Sequence, residues 1–387
     1  MQIEMNVRRA KVIFRRLLAA LRAGQYPYNI APLPQDQIPE AIKKDSLRYA
    51  QFYFYACHFM RGALNSNTAM NQMVALWHRM PELFCPEVVA TWEDEGRIKT
   101  ALALALNYHL DEIAGFWLRN SQNLVRRWKG DPRLLFSGAK NGAAARRPVT
   151  NKKQKGKKPS HDLFEHDWGF EGFQGKMTSM LAYFLLHAKL IKELDIAPAV
   201  DFHLGRIMLS TEIVKVNWQI EKDGVRYDQL YTEGERLLEQ FCADGEATTI
   251  EIGDALWMLS SVLCRKAPGN ASVGRPKKRG GKDQNGDKIR PVSLKVDRHN
   301  TDHLVRYAQS CGRCPVEKFC SFNVPSGAYY VEGRFKLNKR VRLNPPPELF
   351  TELPDQPVPR RYKAGILQHK EGQQLSFDLD SPDPAPS

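Results

Sequence analysis

The spacing of apolar residues along the chain predicts a protein built mostly of helices. Apolar side chains recur every three or four residues over 8–23, 40–60 and 111–128, as they do on a helix with one buried face. The same spacing predicts further helices at 81–91, 97–109, 177–194, 201–216, 227–242 and 249–264. The alternation typical of strands is scarce. The sequence therefore predicts an all-α fold.

Two stretches interrupt the helical pattern with dense positive charge. One covers residues 137–160 and contains Lys152 and Lys153, and the other covers residues 267–300. Low hydrophobicity and like charges leave little to bury, so both are predicted to be flexible loops. The whole chain carries 57 Lys and Arg against 43 Asp and Glu, a net charge of +14. Such a surplus favours a polyanionic partner, with surface charge that serves only solubility as the alternative.

The apolar runs and the two terminal segments predict the cellular location and the order of the chain ends. No apolar run reaches the roughly 18 residues that cross a membrane. Residues 1–9 carry acid and lack a continuous apolar segment, unlike a secretory signal. We therefore expect a cytoplasmic protein without membrane contact. Residues 341–387 are predicted to form a disordered tail, because prolines are frequent and apolar periodicity is lost.

A glycine-punctuated turn precedes one of the predicted helices. It contains Gly172, Gln174 and Gly175, and Lys176 follows at the start of the helix. Backbone N–H groups at such a turn suit a phosphate. Asp201 opens another predicted helix 25 residues later, so an amine and a carboxylate could react with the molecule that carries the phosphate. The alternative is a glycine cap, a solvated lysine and an aspartate that caps its helix.

The cysteines predict a metal centre. Cys311, Cys314 and Cys320 have the spacing C-x2-C-x5-C, which in an intracellular protein favours metal binding over disulfides. Zinc and an iron–sulfur cluster both take four ligands. Cys264, at the end of a predicted helix, is the expected fourth ligand, and Cys242 is the competing candidate. The spacing alone does not decide between iron and zinc.

Three motifs in this order resemble the helix–hairpin–helix DNA glycosylase superfamily, and especially its endonuclease III-like iron–sulfur branch. The first is the turn at 170–176, in which Gln174 stands where the family has its second glycine. The second is Val-Asp-Phe-His-Leu-Gly-Arg-Ile at 200–207, and the third is the set of four cysteines. The similarity covers roughly residues 50–325. The segment from Gln373 to Leu379 is also similar to the peptide by which bacterial DNA-repair proteins hold the sliding clamp, although so short a match also arises by chance.

The resemblance implies roles for particular residues. Lys176 matches the catalytic lysine of the family, whose amine attacks C1′ of the sugar, and Asp201 matches its essential aspartate. A [4Fe-4S] cluster is implied on the four cysteines, with zinc as the alternative. Asn65, Ser66 and Asn67 correspond to the loop that probes the opposite strand after the base leaves the helix, although helix capping explains them equally well. Further DNA contacts are expected from Gly172, Gln174, Gly175, Arg206, Lys152 and Lys153.

The resemblance also implies a two-lobed architecture. One lobe covers 47–195 and carries the hairpin, while the other combines 1–46 with 196–340 and carries the cluster. Double-stranded DNA is expected in the cleft between them, and the protein is expected to be a nucleoid-associated monomer. We expect a DNA glycosylase that excises a damaged or modified base, with or without an abasic-site lyase step. The alternatives are a non-catalytic DNA-binding iron–sulfur protein and a nucleoside or RNA N-glycosidase on the same scaffold.

Overall fold

The computed structural model confirms a mostly helical chain. It describes residues 3–29, 33–43, 45–60, 66–151, 169–215, 225–264, 305, 308–320, 328–331, 334–337, 362–363 and 366–367. The helices of these residues are α1 (Val7–Arg22), α2 (Ser46–Phe59), α3 (Ser66–Arg79), α4 (Pro86–Val89), α5 (Glu95–Leu102), α6 (Leu110–Trp128), α7 (Gly142–Arg146), α8 (Gly175–His187), α9 (Phe202–Ser210), α10 (Tyr227–Ala243) and α11 (Thr249–Met258).

Short strands add three small antiparallel sheets. They are β1 (Glu4–Met5), β2 (Val214–Lys215), β3 (Val225–Arg226), β4 (Ala328–Val331), β5 (Arg334–Leu337), β6 (Tyr362–Lys363) and β7 (Ile366–Leu367). β1 pairs with β2, β5 lies between β3 and β4, and β6 pairs with β7. In the three-stranded sheet, Val225 faces Phe335 and Ala328 faces Leu337. The β6–β7 pair lies within the predicted tail, so that segment is not wholly without secondary structure.

The first hydrophobic core gathers around α2. Every side chain from Ala50 to Phe59 is buried, because this helix is apolar or aromatic on all sides. Stacking between Tyr55 and Trp117, with ring centroids 4.4 Å apart, joins α2 to α6. The buried members of this core run from Ile38 to Ile196.

The second core combines the start of the chain with its later part. Its buried members lie between Ile3 and Leu33 and between Ala197 and Val316. α1 contributes one apolar face, including Phe14, which meets Phe241 of α10 edge to face at 5.1 Å. The chain therefore changes from one core to the other between 33 and 38 and again between 196 and 197.

Several predicted helices have different bounds. The predicted 81–91 helix is divided at Cys85, which has an extended backbone ahead of Pro86, because proline disfavours a helical residue before it. The predicted 249–264 helix widens into a π-helix over Leu259–Leu263, directly before Cys264. The predicted flexible loop 137–160 is partly helical, since α7 forms with Asn141 as its cap.

Among the described residues, no helix is long and apolar enough to cross a membrane.

Candidate active site and cysteine pocket

The glycine turn before α8 depends on two glycines with left-handed backbones. Gly169 has φ +73° and Gly172 has φ +81°, a region that other L-residues rarely occupy. Gly169 also lies against backbone, since a Cβ there would be 2.3 Å from the carbonyl oxygen of Thr150. Gln174 has φ −92° and ψ 177°, an ordinary extended backbone, and caps α8. A side chain at 174 therefore fits the turn without strain.

Buried groups hold this turn against the first core. Phe173 stacks on Phe54 with ring centroids 5.5 Å apart, and Phe170 meets the same ring edge to face. The side chain of Asn120 on α6 pairs with the backbone of Glu171, donating to its carbonyl and accepting from its N–H, both at 2.8 Å. Because these anchors are rigid, the start of α8 has a fixed position.

Gly175, the first residue of α8, permits a close approach by α10. A Cβ at this position would lie 2.3 Å from Oη of Tyr231, so no larger residue fits without a shift. Lys176 follows and is partly exposed. Within the described part of the chain, its side chain forms no hydrogen bond or ion pair. The Lys176 amine, at the start of α8, therefore has no partner among the described residues.

Asp201 caps α9 through one of its two carboxylate oxygens. Its Oδ1 accepts from the backbone N–H of His203 at 2.8 Å and from that of Leu204 at 3.2 Å. The side chain is half-buried, and Oδ2 forms no hydrogen bond with the described residues. One oxygen thus fixes the carboxylate at the start of α9.

One turn of α10 meets both predicted catalytic segments. Tyr231 faces Gly175, and a Cβ at Gly234 would lie 3.4 Å from Cγ1 of Val200, the neighbour of Asp201. Three residues along a helix span only about 5 Å. α10 therefore contacts the start of α8 through the side chain of Tyr231 and the segment before α9 at Gly234.

A charged cluster links this turn of α10 to α7. Arg146 pairs with Glu235 at 3.0 Å and with Glu239, and its Nη2 donates to Oγ of Ser179 at 3.5 Å. Tyr231 in turn donates to Glu235 at 2.9 Å. Burial raises the pKa of Glu235, and the neighbouring Arg146 opposes that shift. The predicted basic loop thus contributes a residue to the structured region around Lys176.

The four cysteines of the third motif line one pocket. They are Cys264, which follows the π-helix, and Cys311, Cys314 and Cys320, which lie around two short 3-10 turns. Burial raises the pKa of Cys264 to about 11. Burial also raises the pKa of Cys311 well above its ordinary value, and the neighbouring thiols of Cys264 and Cys320 add to that shift. The competing candidate Cys242 packs in the second core and does not line this pocket.

α1 holds the cysteine segment from outside. Nη2 of Arg9 donates to the carbonyl of Phe319 at 2.8 Å, and Nε of the same residue donates to the carbonyl of Thr211. The guanidinium of Arg16 lies over the Phe319 ring, 5.0 Å from its centroid. The N-terminal helix therefore positions the residue directly before Cys320.

Arg206 is buried beside the cysteines. Only 2% of its surface is exposed, and its Nε and Nη1 have no hydrogen-bond partner among the described residues. Burial lowers the pKa of Arg206, while nearby Cys264 and Asp201 favour its charged form. A side chain so enclosed does not reach DNA in this conformation, and the DNA contact expected of Arg206 stays a prediction.

The donor set fits an anionic group. A buried guanidinium requires a counter-charge, because arginine does not lose its proton in proteins. A thiolate of Cys264 bound to a metal centre would supply part of that charge, and Asp201 is the other group that favours the charged form of Arg206. In the described residues, no three His, Cys, Asp or Glu side chains converge closely enough to hold a single metal ion.

The remaining predicted site residues lie elsewhere or outside the described residues. Ser66 and Asn67 are the first two residues of α3, and Oδ1 of Asn67 accepts from Nε2 of Gln37 at 3.2 Å. They thus begin a helix on the first core. The residues that fall outside the description are Asn65, Lys152, Lys153, the range 267–300 and the clamp-like segment 373–379.

Sequence reasoning missed the residues that join the two cores. Tyr231 carries no local signal, because its importance comes from its contact with Gly175, 56 positions earlier. Asp254 did carry a signal, since it is an acid within the apolar run of α11 and is 1% exposed. An acid in such a run predicts either a buried partner or a protonated carboxyl.

No family model matches this chain, and a search of curated proteins found no significant match.

Proposed function

We propose that the protein is a DNA glycosylase that excises a damaged or modified base from double-stranded DNA. The observation that carries the proposal is the single turn of α10 that meets both Gly175 and Val200. Through these contacts α10 packs against the segments of Lys176 and Asp201, which are 25 positions apart in the sequence. An amine and a fixed carboxylate are groups that can cleave an N-glycosidic bond, and the proposal brings both to the reacting sugar.

The proposed chemistry uses both groups at C1′ of the flipped nucleotide. The bond from C1′ to the base breaks, and its electron pair leaves with the base while positive charge develops on the sugar. Oδ2 of Asp201 stabilises that charge and accepts the proton of the attacking nucleophile. In the monofunctional form the nucleophile is water. In the bifunctional form it is Nζ of Lys176, which forms a Schiff base that permits strand cleavage by β-elimination.

The four pocket cysteines would hold a [4Fe-4S] cluster. The four thiols line one pocket, and zinc takes the same number of thiolate ligands, so zinc is the alternative. Analysis of iron, sulfide and zinc in the purified protein decides between them. When bound, either group would cross-link the cysteine segment to the end of α11, and the chain's own residues would carry out the reaction.

DNA binding is proposed at the turn before α8 and at the exposed basic residues near it. Backbone N–H groups of the turn suit a phosphate. Lys129, Lys140 and Arg147 are exposed on neighbouring segments and add positive charge. Binding is therefore expected to weaken steeply as salt increases.

A panel of duplexes that each carry one modified base tests the proposal. Abasic sites should appear in at least one duplex with the wild-type protein. Asp201→Asn should reduce base release by at least 1000-fold while DNA affinity stays within about threefold, because the carboxylate acts on the transition state. Asp195→Asn, which changes an exposed acid six residues earlier, is the matched control and should retain full activity.

A borohydride trap then separates the two forms of the reaction. A covalent adduct that is lost in Lys176→Ala and kept in Lys192→Ala identifies the bifunctional form. Base release without an adduct identifies the monofunctional form. Binding to DNA without base release from any duplex would contradict the proposal and favour a non-catalytic DNA-binding protein, whereas activity restricted to RNA or free nucleosides would favour a different N-glycosidase.

A further inference from the structure

One face of α8 carries a row of residues that meet polar partners outside the first core. Gly175, Ser179, Tyr183 and His187 follow at intervals of four, so they lie above one another on the helix. Gly175 meets Tyr231, and Ser179 accepts from Arg146 at 3.5 Å. His187 lies 3.8 Å from Asp36. We call this row and its partners the polar seam, and it joins the two hydrophobic cores.

Tyr183 lies at the centre of the seam and is bound from both sides. Its hydroxyl contacts Oδ1 of Asp254 on α11 and accepts from Nε2 of Gln35 at 2.7 Å. The carbonyl of Gln35 in turn accepts from the hydroxyl of Tyr53 at 2.8 Å. Because hydrogen bonds require particular distances and angles, this chain fixes α8 relative to α11 along the helix axis.

α11 is bound in turn to the segment that leads to Asp201. Oγ1 of Thr249 donates to the carbonyl of Ile196 at 2.6 Å. One turn later, a Cβ at Gly253 would lie 3.1 Å from Cβ of Pro198 and 3.3 Å from the ring of Tyr183. The backbone of α11 therefore touches both the Asp201 segment and α8 at the same level.

We propose that Tyr183 and Asp254 are positioning residues that set Lys176 against Asp201. Their contact holds α8, whose second residue is Lys176, against α11. α11 in turn holds the segment that leads to Asp201. This inference rests on the proposed function. A reaction between a positioned amine or water and C1′ needs the reacting atoms about 3–3.5 Å apart, and a misplacement of about 1 Å costs on the order of 100-fold in rate. The hydrogen bonds of the seam supply that precision, because apolar contacts alone do not fix how far one helix is shifted along another.

The test compares Tyr183→Phe and Asp254→Asn with Tyr55→Phe. The hydroxyl of Tyr55 is also buried and bonded, to Oγ of Ser121 at 2.6 Å, but it lies wholly within the first core. Single-turnover base release should fall at least tenfold in both seam variants with DNA affinity within about twofold, and should be unchanged in Tyr55→Phe. An equal loss in Tyr55→Phe, or a seam variant within twofold of wild type, would overturn the proposal.

The double variant tests whether the two seam residues act on the rate through their shared contact. If Tyr183 and Asp254 act as one unit, the rate of the double variant should equal that of the slower single variant. Losses that multiply would overturn the proposal, because the two residues would then act separately.

Hydrogen exchange measured by mass spectrometry keeps this inference separate from the proposed function. Peptides that cover 175–187 and 196–204 should exchange at least fivefold faster in the seam variants than in Tyr55→Phe. Unchanged exchange in both peptides would overturn the positioning role whatever the activity. If wild type releases no base from any duplex while the exchange differs as expected, the proposed function fails and the coupling of the two segments stands.

Discussion

Two of the buried ionisable side chains in the described part of the chain are an acid and a base, and they differ in whether they keep their charge. Asp254 lies in the polar seam with 1% of its surface exposed, and Arg206 lies beside the cysteine pocket with 2% exposed. Burial raises the pKa of Asp254 to about 8, so this carboxyl is mostly neutral at pH 7. A guanidinium has no comparable option, because its pKa remains far above neutrality. Arg206 therefore needs a negative partner.

The two side chains differ in charge and not in how fully they are hydrogen-bonded. Oδ1 of Asp254 meets Tyr183, and its Oδ2 has no hydrogen-bond partner among the described residues, so a proton removes the charge without a counter-ion. Nε and Nη1 of Arg206 also have no partner there, but the guanidinium keeps its charge, which nearby Cys264 and Asp201 favour. A neutral carboxyl in a polar contact points to a structural or positioning role, and a buried cation points to anionic neighbours.

The largest expected effect is the loss of the bound group itself. Cys264→Ser should remove iron from the purified protein, because a [4Fe-4S] cluster takes four thiolates. Loss of a structural metal centre removes several kcal/mol, and each kcal/mol corresponds to about 2–4 °C in a unit of this size. The Tm should therefore fall by about 10 °C or more. Iron analysis and thermal unfolding check both, with Cys57→Ser, a thiol of the first core, as the control that retains its iron.

Arg206→Met should have effects of opposite sign with and without the cluster. In the iron-loaded protein, removal of one partner of a buried charge pair should cost about 3–5 kcal/mol of unfolding free energy. In protein stripped of metal, the same change removes an unpaired buried charge and should be neutral or stabilising. Denaturant unfolding of both forms measures the difference. An equal cost in both forms would contradict the role of Arg206 as a counter-charge.

The buried carboxyl should make stability fall as pH rises. The pKa of Asp254 is about 8 in the folded protein, against an ordinary value of about 3.9, so the native state holds this proton while the unfolded state loses it. The stabilisation is present below about pH 4 and is lost, at up to about 1.4 kcal/mol per pH unit, as the pH rises to about 8.

Asp254→Asn should abolish this part of the dependence. The difference between variant and wild type should grow in favour of the variant from about pH 4 to 8 and stay constant above it. Chemical unfolding at several pH values measures it. A constant difference across the whole window would mean that Asp254 is ionised in the folded protein.

The smallest expected effect on stability comes from Asp36, another residue of the polar seam. The charge of Asp36 helps to raise the pKa of Asp254, although burial is the larger cause. Asp36→Asn should therefore lower the pKa of Asp254, and stability should level off at a pH lower by less than about one unit. The same pH series detects the shift. A shift towards higher pH would show that Asp36 acts on Asp254 through structure and not through its charge.

Local patterns were enough to predict much of the helical framework. The ranges predicted for α1, α6 and α10 agree with the structure within about two residues, since amphipathic periodicity is written into each helix. Asp201 was predicted to open a helix, and it caps α9. The bounds failed where local preference competes with other forces, as at Pro86 and at the π-helix before Cys264.

The sequence by itself determined which residues are able to react or to bind metal, because thiols, an amine and a carboxylate are recognisable by type and spacing. Only the tertiary structure decided which of them meet. It buried Arg206 near Cys264 and Asp201, where local sequence gave no sign of burial. It also joined α8 to α11 through Tyr183 and Asp254. The physical reason is that a residue's charge state and partners depend on burial, and burial is set by contacts between segments far apart in the chain.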